Sequence, residues 1–276
     1  MSITQFYLIV SAVSVLLWDK LYPLFRQSYS WWLVPLVFLG IFLLLFVLHF
    51  CLFAAIILSA KKRKDGEFRE EKFFRFMVKL TLPVIVSLAR VKIKTQGLEQ
   101  FPENRNVLLV CNHQHDFDPV IIIHCLSNAK FSFIGKKDIL KEMPFIAKAM
   151  HLLSCLFIDR ENDREAAKTV INAIKYLKED KCSVGLFPEG YCSKTCELQP
   201  LRNGSLKIAL KSKVPVAICV VNNTREIPKR MFRKKTEVDF RLLEVIEPEF
   251  YENMSTAELG NYIYDKMNTS LKELRG

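Results

Sequence analysis

Residues 107–118 read Val-Leu-Leu-Val-Cys-Asn-His-Gln-His-Asp-Phe-Asp. The apolar run Val107–Cys111 is short and β-branched at both ends of its core, which suits a strand covered on both faces. The polar run behind it crowds two imidazoles and two carboxylates into one loop. Asp118-Pro119 then marks a helix start, with aspartate as N-cap and proline at the first helical position.

The same order recurs along the chain. Cys155–Ile158 is apolar and is followed by Asp159-Arg160, and Val184–Phe187 is followed by Pro188-Glu189-Gly190. Val214–Val221 makes another buried strand, with Pro215 near its start, where proline is tolerated. Val91-Lys92-Ile93-Lys94 alternates, as a half-buried strand with a basic outer face does. Residues 163–179 read as a helix opened by an Asn162…Glu165 capping box, with Ala167, Val170, Ile171, Ile174 and Leu177 at helical spacing. Strands alternating with helices predict an α/β domain with a largely parallel sheet flanked by helices. In such sheets ligands bind outside the carboxyl ends of the strands. The histidine loop, Asp159-Arg160 and Glu189-Gly190 all fall on that edge.

Residues 31–60 hold no Asp, Glu, Lys or Arg. A bilayer core of about 30 Å needs roughly 20 helical residues, so this run predicts one firm membrane span. His49 inside it reads as a neutral imidazole facing protein or interface. Tyr29, Trp31 and Trp32 sit where an aromatic belt belongs, and Lys61–Lys64 close the other end, which places everything after residue 60 in the cytoplasm. The earlier run, Phe6–Trp18, spans only about 20 Å. It reads as a short first span or an in-plane helix, and lacks the marks of a cleaved signal peptide. Residues 67–82 interleave Phe68, Phe73, Phe74, Phe76 and Met77 with Arg69, Lys72, Arg75 and Lys79. They predict a basic amphipathic helix on the membrane surface or packed on the domain, ending or kinking at Pro83. The division expected is a membrane anchor over 1–60, a membrane-proximal helix within 61–90 and a catalytic domain over 91–276.

Forty basic against twenty-nine acidic residues give a net charge of +11, and residues 1–60 contribute only +1 of it. An anionic partner follows. Half the chain is apolar and a quarter charged, which excludes disorder. No nucleic-acid-binding motif appears; a non-catalytic, membrane-tethered binding protein stays open. The cluster Lys229–Lys235 reads as a solvated loop or a contact for anionic headgroups. The eight cysteines read as reduced thiols, with Cys111, Cys155, Cys182 and Cys219 as small buried hydrophobes. Cys192 and Cys196 form no CxxC signature.

Asp118 reads either as a helix cap or as a carboxylate bonded to one nitrogen of His113, leaving the other nitrogen free as a general base. His115 lies two residues from His113, yet Phe117 and Asp118 break the hydrolase metal pattern H-x-H-x-D-H. His115 and Asp116 read as loop residues lining the site. No G-x-S-x-G elbow is present. A thiol nucleophile, Cys111 or Cys192, remains an alternative. Arg160 reads as an ion-paired residue, with Asp159 or Glu161, or as a bidentate phosphate ligand. Glu189 offers a carboxylate at the sheet edge, and Gly190 allows close backbone approach.

Four ordered blocks, N-H-x-x-x-x-D at 112–118, F-I-D-R at 157–160, F-P-E-G at 187–190 and V-P-V at 214–216, resemble those of the glycerolipid acyltransferase family. The similarity runs from Gly97 to Val221, including Lys137–Pro144 and Leu201-Arg202-Asn203-Gly204. It implies acyl transfer from acyl-CoA or acyl-carrier protein to the free hydroxyl of lysophosphatidic acid, with glycerol 3-phosphate or another lysolipid as alternative acceptors. It further implies His113 as general base oriented by Asp118, and Arg160, Glu189 and Gly190 as acceptor-binding residues. No metal, cofactor or nucleic acid is implied, and a membrane with anionic lipids is the expected surrounding. Two departures stand out. His115 replaces the family's frequent serine, and Tyr191-Cys192-Ser193 replaces Thr-Arg-Ser, leaving Lys194 or Arg202 to stand in for the missing arginine.

Overall fold

A computed structural model describes residues 3–21, 33–61, 64, 66–193, 195–231 and 233–275. Its helices are α1 (Ile3–Leu21), α2 (Leu33–Ser59), α3 (Lys72–Leu88), α4 (Asp118–Cys125), α5 (Ile139–Glu142), α6 (Pro144–Leu152), α7 (Asp163–Lys178), α8 (Lys207–Ser212), α9 (Ile227–Arg230), α10 (Pro248–Tyr251) and α11 (Thr256–Glu273). Its strands are β1 (Val91–Gln96), β2 (Leu108–Cys111), β3 (Phe131–Lys136), β4 (Leu156–Ile158), β5 (Ser183–Leu186), β6 (Val216–Asn222) and β7 (Thr236–Ile246). They form one sheet in the order β1-β7-β6-β2-β5-β3-β4.

The expected α/β architecture is present. Every neighbouring pair is parallel except β6 with β7, whose ladder carries a bulge between Ile218 and Cys219. The four residues of β2 are buried on both faces, as their unbroken apolar run requires. On one face Leu108, Val110, Val184 and Ile218 pack against α7, α8 and α11 through Ala173, Ile208 and Ile263. On the other, Leu109, Cys111, Ala217 and Cys219 pack with Ile121 and Ile122 of α4. β3 and β7 are additions to the sequence reading, and β7 supplies the antiparallel step. Asn162 Oδ1 caps α7 by accepting the Glu165 N–H at 3.1 Å.

α2 is long and apolar enough to cross a membrane over Val34–Ser59. α1 is longer than the apolar run that predicted it. His49, on α2, is buried and donates from Nε2 to Thr81 Oγ1 of α3 at 2.9 Å, since that hydroxyl itself donates to the Met77 carbonyl. Phe53 and Phe74 stack at 5.6 Å and hold α2 against α3. α3 starts at Lys72 and runs through Pro83 to Leu88, whereas the sequence predicts an end or kink at the proline. Burial of Leu82, Val84 and Val86 offsets the one hydrogen bond that proline removes. Phe73 and Phe76 remain exposed on the opposite side. Tyr29, Trp31, Trp32, Lys62, Arg63 and Lys194 lie outside the described residues. In the 229–235 cluster, Lys229 and Arg230 both pair with Glu226.

Candidate active site

The carboxyl ends of β2, β4, β5 and β6 deliver the loops that make the site. Asn112 continues β2 by side chain rather than backbone: its Nδ2 donates to the Val221 carbonyl at 2.9 Å and its Oδ1 accepts the Val221 N–H at 2.8 Å. This double bond to β6 fixes where His113 leaves the sheet.

His113 Nδ1 lies 2.8 Å from Asp118 Oδ2. The same oxygen accepts the backbone N–H of Gln114 at 2.7 Å and of His115 at 2.9 Å, and Thr224 Oγ1 donates to Oδ1 at 2.5 Å. Asp118 is fully buried, and these four donors replace the water it has lost. Its carboxylate does not cap α4 as the sequence predicts. Asp118 is already the first helical residue, Phe117 precedes it, and the side chain folds back over the loop. Asp118 therefore fixes the His113 tautomer with the proton on Nδ1, leaving Nε2 to face outward. Phe187 stacks on the imidazole at 4.3 Å and holds its plane.

Burial pulls the His113 pKa down, but hydrogen bonds with Asp118 and Cys192 outweigh it and raise the imidazole to about 10. Cys192 Sγ is the partner at Nε2, 3.1 Å away. Cys111 is a different case: it is wholly buried, and burial pushes its thiol well above the ordinary range. That leaves Cys192 as the thiol within reach of the imidazole.

Glu189 is buried, and both oxygens are engaged by backbone: Oε1 accepts the His113 N–H at 2.6 Å and Oε2 the Gln199 N–H at 2.8 Å. Desolvation raises its pKa to about 7 despite those bonds. Its carboxylate braces the loop under His113 and does not present a free oxygen to the edge. Gly190 has φ +83°, and a Cβ there would lie 2.8 Å from Arg202 Nε. Gly190 therefore lets the turn close and lets Arg202 cross over it.

Arg160 forms no ion pair among the described residues. Asp159, its expected partner, pairs instead with Lys137 at 3.1 Å. Burial and the charge of Arg202 lower the Arg160 pKa, while Cys192 and the Asp138 carboxylate act the other way. His115 turns away, its Nδ1 accepting the Phe117 N–H at 3.2 Å and its ring stacking on Phe117. Sequence reading brings His113, Asp118, Arg160, Glu189 and Gly190 to this edge, and the structure collects them there. It misses Asn112, Phe187 and Thr224 as supports, because each acts through a partner far away in the chain, and Gln199, whose backbone N–H reaches back across the loop to Glu189. A cavity of about 590 Å³ is lined by Gln96, Arg241, Tyr262 and Glu273 and shares no residue with the site. The chemistry sits on an open edge, so convergence of functional groups, not volume, identifies it.

Residues 92–222 match the Acyltransferase family. A 1-acyl-sn-glycerol-3-phosphate acyltransferase of Borreliella burgdorferi is 31% identical over 53% of this chain and 59% of its own. One of Saccharomyces cerevisiae is 28% identical over 66% and 60%, and one of Escherichia coli 26% identical over 61% and 68%. The chain thus spans about three fifths of the length of the first two curated relatives. The crystal structure of the 1-acyl-sn-glycerophosphate acyltransferase PlsC of Thermotoga maritima superposes with a TM-score of 0.62, covering 84% of this chain and 96% of that one at 22% identity. The two share a fold.

Proposed function

Residues 92–222 belong to the acyltransferase family, and from that premise we propose a membrane-bound O-acyltransferase that converts lysophosphatidic acid to phosphatidic acid. The donor is a thioester, acyl-CoA or acyl-carrier protein. His113 Nε2 takes the proton of the acceptor hydroxyl, and the oxygen attacks the thioester carbonyl. The tetrahedral intermediate collapses, the C–S bond breaks, and the proton passes from His113 to the departing thiolate. Asp118 stabilises the imidazolium through Nδ1–H. Arg160 and Arg202 receive the acceptor phosphate, with Arg202 standing in for the arginine missing from the family pattern. Glu189 is a positioning residue that acts through the His113 backbone.

The observation that carries this reading is the His113–Asp118 pair at 2.8 Å at the carboxyl edge of the sheet. The wider architecture supports it. A lipid acceptor keeps its chains in the bilayer, which suits a chain anchored over residues 1–60 with α2 as its span, braced by α3, and catalytic over 91–276. Phe73, Phe76, Phe145 and Ile146 are exposed apolar side chains close to the α2 end of the molecule. Lys61–Lys64 orient the catalytic domain to the cytoplasm.

The test offers purified protein in lipid vesicles labelled acyl-CoA or acyl-carrier protein with lysophosphatidic acid, glycerol 3-phosphate and other lysolipids in turn. Phosphatidic acid is the expected product, and His113→Ala is expected to lower turnover by about 10²–10⁴ while the protein stays folded in the membrane fraction. Near-wild-type turnover in that variant removes His113 as the base. Single-turnover transfer separates an enzyme from a non-catalytic binding protein of the same fold.

A further inference from the structure

We propose that His113, Cys192 and Asp116 form a reversible inhibitory site for a thiophilic divalent cation, Zn²⁺ foremost, built on the nitrogen that the reaction uses. The three side chains bring one imidazole nitrogen, one sulfur and one carboxylate oxygen within 4.8 Å of one another. Cys192 Sγ lies 3.1 Å from His113 Nε2 and 3.9 Å from Asp116 Oδ1. Zinc bonds of about 2.0–2.3 Å at tetrahedral angles set donor–donor separations of roughly 3.3–3.6 Å. The two measured separations straddle that range, so small side-chain shifts close the three atoms on one ion.

The backing for such an ion is in place. A zinc-bound imidazole commonly turns its other nitrogen to a carboxylate, and His113 Nδ1 already meets Asp118 at 2.8 Å. Nε2 is thereby the nitrogen left to take the ion once its proton is released, and Phe187 keeps the ring in plane. Three protein ligands leave a fourth position for water. The mixed nitrogen, sulfur and oxygen set suits zinc, whereas magnesium and calcium take oxygen ligands. Cys192 stands where the family pattern has arginine, so this chain puts a zinc-ligating thiol in that place. On binding, the Zn–N and Zn–S bonds form, the Nε2 proton and the thiol proton leave to solvent, and Nε2 is occupied. The binding stands on geometry alone; the inhibition rests on the base role proposed for His113.

The experiment uses the full-length, metal-free protein in detergent micelles. Titration with Co²⁺ is expected to saturate at one ion per chain with a thiolate-to-cobalt charge-transfer band, and Zn²⁺ is expected to displace it. The band should vanish in Cys192→Ser, and the affinity should fall by at least about tenfold in Asp116→Asn. Zinc should also slow iodoacetamide alkylation of Cys192, read by peptide mass spectrometry. In the vesicle assay zinc should inhibit acyl transfer, a chelator should restore it, and Cys192→Ser should need at least about tenfold more zinc. No band, or the same band in Cys192→Ser, overturns the site. One zinc bound with turnover unchanged overturns the inhibition. Absence of acyl transfer without metal would sink the proposed function instead, and the cobalt band would still decide the site.

Discussion

At the scale of single residues, the site depends on one carboxylate doing several things. Asp118 receives an imidazole, two backbone N–H groups and a hydroxyl, and it has no exposed surface. Asn at this position keeps the size but offers one acceptor oxygen and turns an NH₂ toward groups that are themselves donors. Asp118→Asn is therefore expected to lower kcat by about 10²–10⁴ with the acceptor KM nearly unchanged, because the phosphate contacts lie elsewhere. A KM effect of the same size would mean that the carboxylate shapes the binding face. Gly190 acts on the other half of the reaction. Its φ of +83° is left-handed, and an added Cβ meets Arg202 Nε at 2.8 Å. Gly190→Ala should cost about 1–2 kcal/mol in thermal stability and raise the acceptor KM by moving Arg202, leaving the donor KM alone. Steady-state kinetics with each substrate varied separately checks that split.

At the scale of elements, legibility followed how local the stabilising interactions are. β2, β4, β5 and β6 were readable because burial on both faces demands unbroken apolar runs. α7 was readable from its cap and its spacing. β3 carries Ser132 and Gly135 among its apolar residues, and β7 alternates with Glu237, Asp239 and Arg241, so neither gives an unbroken apolar run. Asp118-Pro119 located a helix start correctly to within one residue, but not the carboxylate's partners, because Thr224 reaches it from the turn after β6 through tertiary folding alone. The passage of α3 through Pro83 was unreadable for the same reason: it is held by contacts with α1, α4 and β1. α11 shows the opposite case, a helix whose start is set locally. Ser255 Oγ accepts the Glu258 N–H at 3.2 Å while Glu258 accepts the Ser255 N–H at 2.7 Å. Ser255→Ala should lower stability by about 1 kcal/mol with turnover unchanged, since none of the site residues lies on α11. Differential scanning fluorimetry beside the vesicle assay measures both.

At the scale of the whole molecule, catalysis and folding compete for the same proton. His113 has its pKa raised to about 10, above the ordinary 6.5 of an unfolded chain. The folded protein thus keeps a proton that the unfolded chain releases, and the resulting stabilisation is complete below pH 6.5 and is lost as pH rises through 10. Glu189, raised to about 7 from 4.5, acts in the same direction at lower pH. Stability falls with pH between those two values, and the effect is complete above about 7. The buried thiols Cys125 and Cys219, pushed up to about 12 and beyond, affect folding only above pH 9, where an unfolded thiol ionises. The window from pH 7 to 9 therefore isolates His113, with a slope of at most roughly 1.4 kcal/mol per pH unit. A general base must lose that same proton before it accepts another. Single-turnover acyl transfer is expected to rise across pH 7–9 while the Tm falls, and His113→Ala should flatten the Tm profile as it removes the activity. Cys192→Ala, lacking one of the two hydrogen bonds that hold the proton, should shift the rising limb to lower pH and make the Tm slope shallower. A rate already at its plateau at pH 7 in the unmodified protein would place the base near its ordinary pKa and break the proposed link between the imidazole's partners and its protonation.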